Sequence, residues 1–287
     1  MLIKQIAAYT KFTTTEQTIA EYILANTSSM ENISIQELAK RTFTSNASII
    51  RFAQKMGFRG FKEFKIQLLK SIEQLDGPQK DINPNIPFED HSPLMKISED
   101  MMHLTQQAIK ETYQLLNEAQ LMEMTKHLYN AKRIFLFAAG DSQIRAESFQ
   151  NKLWKINKYA ILAKEREEWA LNAANLLRDD CAFFISYDAK AMNDLVAARL
   201  IKERGIPILL LTSYPDSELG KLADVIITVS RLETKETEKI STYSSQAAFE
   251  YILNVLFSTL YQMEYQENRQ RQLRRAEVLQ QFEEKPF

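Results

Sequence analysis

The chain is predicted to be an α/β protein in two parts, an all-α helix-turn-helix domain followed by a three-layer α/β/α domain on a five-stranded parallel sheet. Three observations predict this. Residues 33–65 hold two short helical patterns separated by a tight polar turn, with a basic third helix behind them. Beyond residue 133, short continuous apolar runs alternate with helical periods, the pattern of strands covered by helices on both faces. Between the two lies a stretch with Pro78, Pro84, Pro87 and Pro93 and no periodicity. Residues before proline are pushed away from helix, so this stretch is an extended linker. The boundaries follow: 1–76 helix-turn-helix domain, 77–94 linker, 95–287 α/β domain.

Taken in order, Leu2 to Tyr9 is a short helix, and Thr15 to Ala25 is an amphipathic one with Ile19, Tyr22 and Ile23 inward. Ile35, Leu38 and Ala39 then recur at helical spacing. Arg41 to Thr44 interrupts the period, and Thr44 or Ser45 can cap the next helix. In that helix Ala47, Ile50 and Ala53 with Met56 are expected inward, leaving Asn46, Ser48, Arg51 and Lys55 outward; Gly57 ends it. Small polar and cationic side chains at a helix N-terminus are what a major-groove reader needs, because they can approach base edges.

Downstream, helices are expected at Met95 to Asn117 and Leu121 to Tyr129. The strands are Arg133 to Ala138, Ala160 to Leu162, Cys181 to Ser186, Ile208 to Leu211 and Val225 to Val229. Helices Gln143 to Lys155, Trp169 to Leu177 and Ala191 to Arg204 lie between them. Right-handed crossovers are expected. Two long helices close the chain, Gln246 to Tyr265 and Glu267 to Phe282, the second a mixed-charge, solvated one.

Charge separates the two parts. The whole chain has a formal charge of −1, yet Lys40, Arg41, Arg51, Lys55, Arg59, Lys62, Lys65 and Lys70 face only Glu63 in their segment. Such a patch neutralises phosphates, the sequence-independent part of DNA affinity. No apolar run reaches membrane-spanning length and no signal-peptide pattern opens the chain, which predicts a cytoplasmic protein without membrane contact. Cys181 sits in the apolar run CAFFIS and reads as a core residue. His91, His103 and His127 are scattered without ligand spacing, so no metal and no cofactor is expected.

In parallel sheets, ligands bind beyond the carboxyl ends of the strands, at helix N-termini. The first such loop is Ala138-Ala139-Gly140-Asp141-Ser142, where Gly140 permits a tight turn. Ser142 either caps its helix or offers its hydroxyl to a ligand. The second is Ser186-Tyr187-Asp188-Ala189-Lys190-Ala191. A carboxylate at Asp188 repels a phosphate dianion, and Lys190 offsets this in part. Glu238 lies in the charge run ETKETEK and reads as solvated.

The segment from Thr44 to Lys65 resembles the RpiR-type bacterial regulators. Their signature runs S-x-A-T-I-x-R-F-x-x-K-L-G-F-x-G-[FY]-x-E-F-[KR], and here Ser48 stands where Thr is common and Met56 where Leu is. The resemblance implies an N-terminal helix-turn-helix and a C-terminal sugar-isomerase-like (SIS) domain. Gly140 and Ser142 match the second glycine and the serine of that domain's G-x-G-x-S, with Ala138 for the first glycine. Ser186 matches the start of its phosphate loop S-x-S-G-x-T, whereas Asp188, Ala189 and Ala191 depart from it. The stretches Ile208 to Ser213 and Ser217 to Asp224 resemble a later segment, which implies Thr212 and Ser217 as pocket residues. Ser244-Ser245-Gln246 resembles the S-S-R opening of the last SIS helix.

Two functions are compatible with these features. One is a homodimeric or higher-order regulator that binds double-stranded DNA and senses a phosphosugar or related metabolite, controlling carbohydrate genes. The other is an SIS-type phosphosugar isomerase or lyase. An isomerase needs a positioned Glu or His base beside an intact cradle, and no histidine lies near the candidate loops, so the regulator is the reading adopted, with no catalytic residue. Its DNA-contacting residues are then Ser45, Asn46, Ser48 and Arg51 for base edges and Lys55, Arg59, Lys62 and Lys65 for phosphates. Gly140, Asp141, Ser142, Ser186, Asp188, Lys190, Thr212 and Ser217 form the ligand site.

Overall fold

A computed structural model describes residues 2–76, 82–234 and 238–283. The chain folds as two compact units, Met1–Asp81 and Ile82–Phe287, each with its own core.

The first unit is all helical: α1 (Leu2–Ala8), α2 (Thr14–Ala25), a 3-10 turn (Thr27–Ser29), α3 (Ile35–Arg41), α4 (Asn46–Lys55) and α5 (Phe61–Asp76). Thr13 and Glu16 form a reciprocal capping box at the start of α2. Ile19, Ile23, Leu38, Ile49, Phe52 and Phe64 are fully buried. Phe52 is central, with Phe12 at 5.4 Å and Phe64 at 5.7 Å between ring centroids. The Ile3 N–H donates to buried Ser71 Oγ at 3.1 Å and ties α1 to α5.

The second unit opens with residues 82–93. The remainder of the expected linker, 77–81, lies outside the described residues. Asn85 is buried; its Nδ2 donates to the Thr234 carbonyl at 2.9 Å and its own carbonyl accepts from the Ile240 N–H at 3.1 Å. Then come α6 (Leu94–Leu115), α7 (Glu118–Asn130), β1 (Ile134–Ala138), α8 (Asp141–Trp154), β2 (Ala160–Ala163), α9 (Arg166–Asn175) and β3 (Cys181–Ile185). They are followed by α10 (Met192–Glu203), β4 (Ile208–Thr212), α11 (Glu218–Leu222), β5 (Val225–Thr228), α12 (Ser244–Met263) and α13 (Tyr265–Glu283). The short helix α11, capped by Ser217, was not expected from periodicity: five residues are too few to display a period.

All strand pairings are parallel, in the order β2-β1-β3-β4-β5. Alternation sends Leu136, Phe183 and Leu211 to one face, packed with residues of α7, α8 and α12. Phe137, Phe184 and Leu210 go to the other, with residues of α9 and α10. The sheet is therefore the middle of three layers. Cys181 is in this core, where burial beside Asp180 pushes its thiol up to about 12. The chain leaves β1 toward β2 on one side and returns to β3 on the other, so a crevice opens between the carboxyl ends of β1 and β3.

Candidate functional site

In the first unit, α3, its turn and α4 make the helix-turn-helix. Ser45 caps α4 by accepting the Ser48 N–H at 3.1 Å, and its hydroxyl lies 3.0 Å from Ser48 Oγ. At the other end Gly57, with φ +92°, makes a Schellman close: its N–H reaches the Gln54 carbonyl and that of Phe58 reaches Ala53. The same close ends α3, with N–H groups of Phe43 and Thr44 on the carbonyls of Lys40 and Ala39. Here the left-handed residue is Phe43, at φ +52° and 96% exposed.

The buried face of α4 is Ile49, Phe52 and Ala53 with Met56, not the expected Ala47–Ile50 stripe. Ala47 and Ile50 are exposed. Ile49 and Ile50 are equally apolar, and the position of Phe52 decides which one turns inward. Ser45, Asn46 and Arg51 remain exposed and Ser48 half-buried; the Arg51 guanidinium donates to Ser48 Oγ at 3.3 Å. Arg59 and Lys62 are also exposed.

Two of the expected phosphate contacts are instead engaged inside the unit. Lys55 Nζ pairs with Glu16 at 2.5 Å, donates to the Lys11 carbonyl at 2.9 Å and lies over the rings of Tyr9 and Phe12. Lys65 Nζ donates to the Ile33 carbonyl at 2.8 Å. Both cations hold neighbouring segments together.

In the second unit a cavity of about 510 Å³ lies at the carboxyl ends of the strands. The β1–α8 loop gives it Ala138, Ala139 and Ser142, and Gly140 turns that loop at φ +58°, open to glycine alone without strain. The β3–α10 loop supplies Ser186, Asp188 and Lys190, among others. Ser186 Oγ donates to buried Asp194 at 2.8 Å, and Ala189 sits at φ +49° with its methyl buried. Trp169 enters from α9, 2% exposed, and its Nε1 has no hydrogen-bond partner among the described residues.

The segment after β5 closes the wall with Glu233, Thr234 and Lys239. Glu233 is buried at the start of α12. One carboxylate oxygen accepts from Ser244 Oγ at 3.0 Å, the Ser245 N–H at 2.8 Å and Ser245 Oγ at 2.9 Å. The other accepts from Ser245 Oγ at 3.0 Å and pairs with Lys239 at 2.9 Å. Burial, with Glu233 nearby, pushes the Tyr187 phenol above its usual range, and its oxygen accepts the Glu233 N–H at 3.2 Å. Farther back, Ser230 donates twice to α6, its N–H to Thr112 Oγ1 at 3.0 Å and its Oγ to the Ala108 carbonyl at 3.2 Å.

Thr212 and Ser217 are placed outside the cavity wall. Thr212 is fully buried and donates to the Tyr187 carbonyl at 3.0 Å, while Ser217 caps α11 through the Gly220 N–H. Asp141 opens α8 and accepts from Thr242.

Residues 1–75 match the family described as helix-turn-helix domain, rpiR family, and residues 127–256 match the SIS domain. An uncharacterized HTH-type transcriptional regulator of Caldanaerobacter subterraneus is 32% identical over 258 residues, 88% of each chain. The chain belongs to the RpiR family of transcriptional regulators. A second relative, an uncharacterized HTH-type transcriptional regulator of Haemophilus influenzae, is 27% identical over 89% of this RpiR chain and 88% of its own. Among solved structures, Vibrio vulnificus NanR complexed with ManNAc-6P shares the fold at TM-score 0.59 and 22% identity, covering 97% of this chain and 98% of that one. The sugar isomerase domain of an RpiR transcription factor from Sphaerobacter thermophilus covers 62% of this chain and 96% of its own at TM-score 0.55 and 16% identity.

Sequence reading of this RpiR chain missed Glu233, Lys239, Asp194 and Trp169. Glu233 follows a strand in an irregular segment and meets its serine partners only through the fold. Asp194 carried a usable signal, an acid in the first turn of a helix that follows a ligand loop. Among the described residues no group of acidic, histidine or cysteine side chains is arranged to hold a metal ion, and no helix is long and apolar enough to cross a membrane.

Proposed function

We propose that this regulator reads DNA as a dimer through α4 and is controlled by a small carbohydrate-class effector, a phosphosugar or a related metabolite, bound at the carboxyl edge of its SIS sheet. The carrying observation is the constellation at the start of α4. Ser45, Asn46 and Arg51 are exposed on a helix closed at both ends by local caps, on a module that matches the rpiR helix-turn-helix. In this reading Ser45, Asn46, Ser48 and Arg51 approach base edges, and Arg59 and Lys62 approach phosphates. A symmetric dimer reads half-sites about 34 Å apart or a multiple of it. The cavity between β1 and β3 is the effector site, a place supported by its position at the strand-order reversal and by the ManNAc-6P of the NanR neighbour.

The isomerase alternative is not favoured. Glu233 is an ion-paired helix cap with both oxygens engaged, unlike a poised general base, and no histidine lines the cavity among the described residues. The test is selection of binding sites from random duplex DNA with the full chain, repeated with Arg51→Ala. A two-fold symmetric consensus is expected, and the variant should lose about 1–3 kcal/mol of discrimination at one base position in each half-site. Unchanged preference in the variant would displace Arg51 from the groove.

A further inference from the structure

In a parallel α/β sheet an anion is held by helix N-termini at the carboxyl edge, where unpaired backbone N–H groups and the helix dipole both favour negative charge. Three such helices begin here without a side-chain cap from their own N-cap residue: α8 at Gly140, α10 at Ala191 and α12 at Tyr243. Each has a carboxylate of the chain itself at its start. Asp141 opens α8; Asp194 lies buried in the first turn of α10 and holds Ser186; Glu233 takes the Ser245 N–H of α12. The positive ends that would attract a phosphate are already compensated.

The wall agrees in charge and in shape. Among the described residues of the wall, Asp188, Asp194 and Glu233 stand against Lys190 and Lys239, a formal charge of −1, and Lys239 is committed to Glu233. In the β3–α10 loop the left-handed position is filled by Ala189, whose buried methyl takes space that glycine would leave. The groups remaining are suited to hydroxyls. The wall also carries Ser142, Asn193 and Thr234, whose hydroxyl and amide groups donate to and accept from ligand hydroxyls. Carboxylates accept from hydroxyl or ammonium groups alike.

We infer that the cavity takes an unphosphorylated, hydroxyl-bearing ligand, neutral or carrying an amino group, in preference to the phosphate ester of the same molecule. This rests on the cavity being the effector site. The test is calorimetric titration of the full chain with hexoses, hexosamines, N-acetylhexosamines and the 6-phosphate of each. At least one unphosphorylated sugar should bind tenfold or more tightly than its 6-phosphate. A 6-phosphate that binds more tightly than its parent sugar overturns the inference and leaves the effector site standing. If no compound binds in any charge state, the effector reading falls and the inference with it.

Two variants check the cause. Asp188→Asn removes the charge with little change of shape, and Asp188→Ser combined with Ala189→Gly rebuilds a hydroxyl-and-glycine loop. Each should narrow the ratio of sugar to sugar phosphate by tenfold or more. An unchanged ratio in both overturns the inference.

Discussion

Replacing Glu233 by alanine tests the cap on α12 most directly. The carboxylate is buried, with accepted bonds from two serine hydroxyls and one backbone N–H and an ion pair to Lys239. Breaking a buried pair by removing one partner costs about 3–5 kcal/mol, because the other charge is stranded. Here the Lys239 side chain is 31% exposed, so water recovers part of that loss. The serine hydroxyls can rotate, whereas the Ser245 N–H cannot. The low end applies, about 3 kcal/mol, which for a domain of this size corresponds to a fall in Tm of roughly 6–12 °C. The chain's two tryptophans, Trp154 and Trp169, both lie in the second unit, so their emission reports that unit alone. Urea unfolding followed this way should show a lower midpoint at unchanged m. Glu233→Gln keeps one acceptor oxygen and should lose about half as much. A loss below about 1 kcal/mol in the alanine variant would refute the argument that this carboxylate holds the start of α12.

Four further outcomes are expected. Lys62→Ala should flatten the salt dependence of DNA binding by about one unit. Lys55→Ala should leave that slope nearly unchanged and speed hydrogen exchange in α2 and α4, since its ammonium is spent on Glu16 and Lys11. Phe43→Gly should stabilise the first unit by about 0.5–1 kcal/mol in calorimetry, because relief of the left-handed strain exceeds the entropy cost of glycine and an exposed ring loses no packing. Asp180 is buried, which pushes its carboxyl up, but hydrogen bonds from Arg133 and the Leu177 N–H outweigh this and hold it below its ordinary range. A depressed folded value gives stability that is present above the unfolded value and lost as pH falls through the folded one. Asp180→Asn should therefore flatten the acid limb of the stability profile below about pH 4.

The sheet was legible because runs such as IFLFA, CAFFI and ILLL are apolar at every position, and only strands buried on both faces need that. The caps were legible for a similar reason: Ser45 and Gly57 act within three or four residues of themselves. What escaped depends on distant partners. Lys55 looked like a phosphate contact because Glu16, which claims it, lies 39 residues away in sequence. The inward face of α4 was displaced by one position because Ile49 and Ile50 give periodicity no preference. Thr212 and Ser217 had the right chemistry for a pocket, but the fold directs one to a backbone carbonyl and the other to a helix cap. Glu233 opens the charge run ETKETEK, which reads as solvated from sequence, yet it is buried because its partners Ser244 and Ser245 are brought to it only by the fold.

Two of the hydrogen bonds of Asn85 form a joint of limited strength. They join the segment that leads away from the DNA-reading unit to Thr234, a residue of the cavity wall, and to Ile240, next to Lys239. Neutral hydrogen bonds net about 0.5–1.5 kcal/mol each, so the joint is worth roughly 2 kcal/mol, a bias of about thirtyfold. A signal that travels by this joint cannot exceed that ceiling, which falls within the ordinary range of allosteric coupling of about 1–3 kcal/mol. Driving a population from 1:99 to 99:1 would need about 5.5 kcal/mol. A bias of about 2 kcal/mol therefore shifts such an equilibrium by degrees and does not drive it fully from one side to the other.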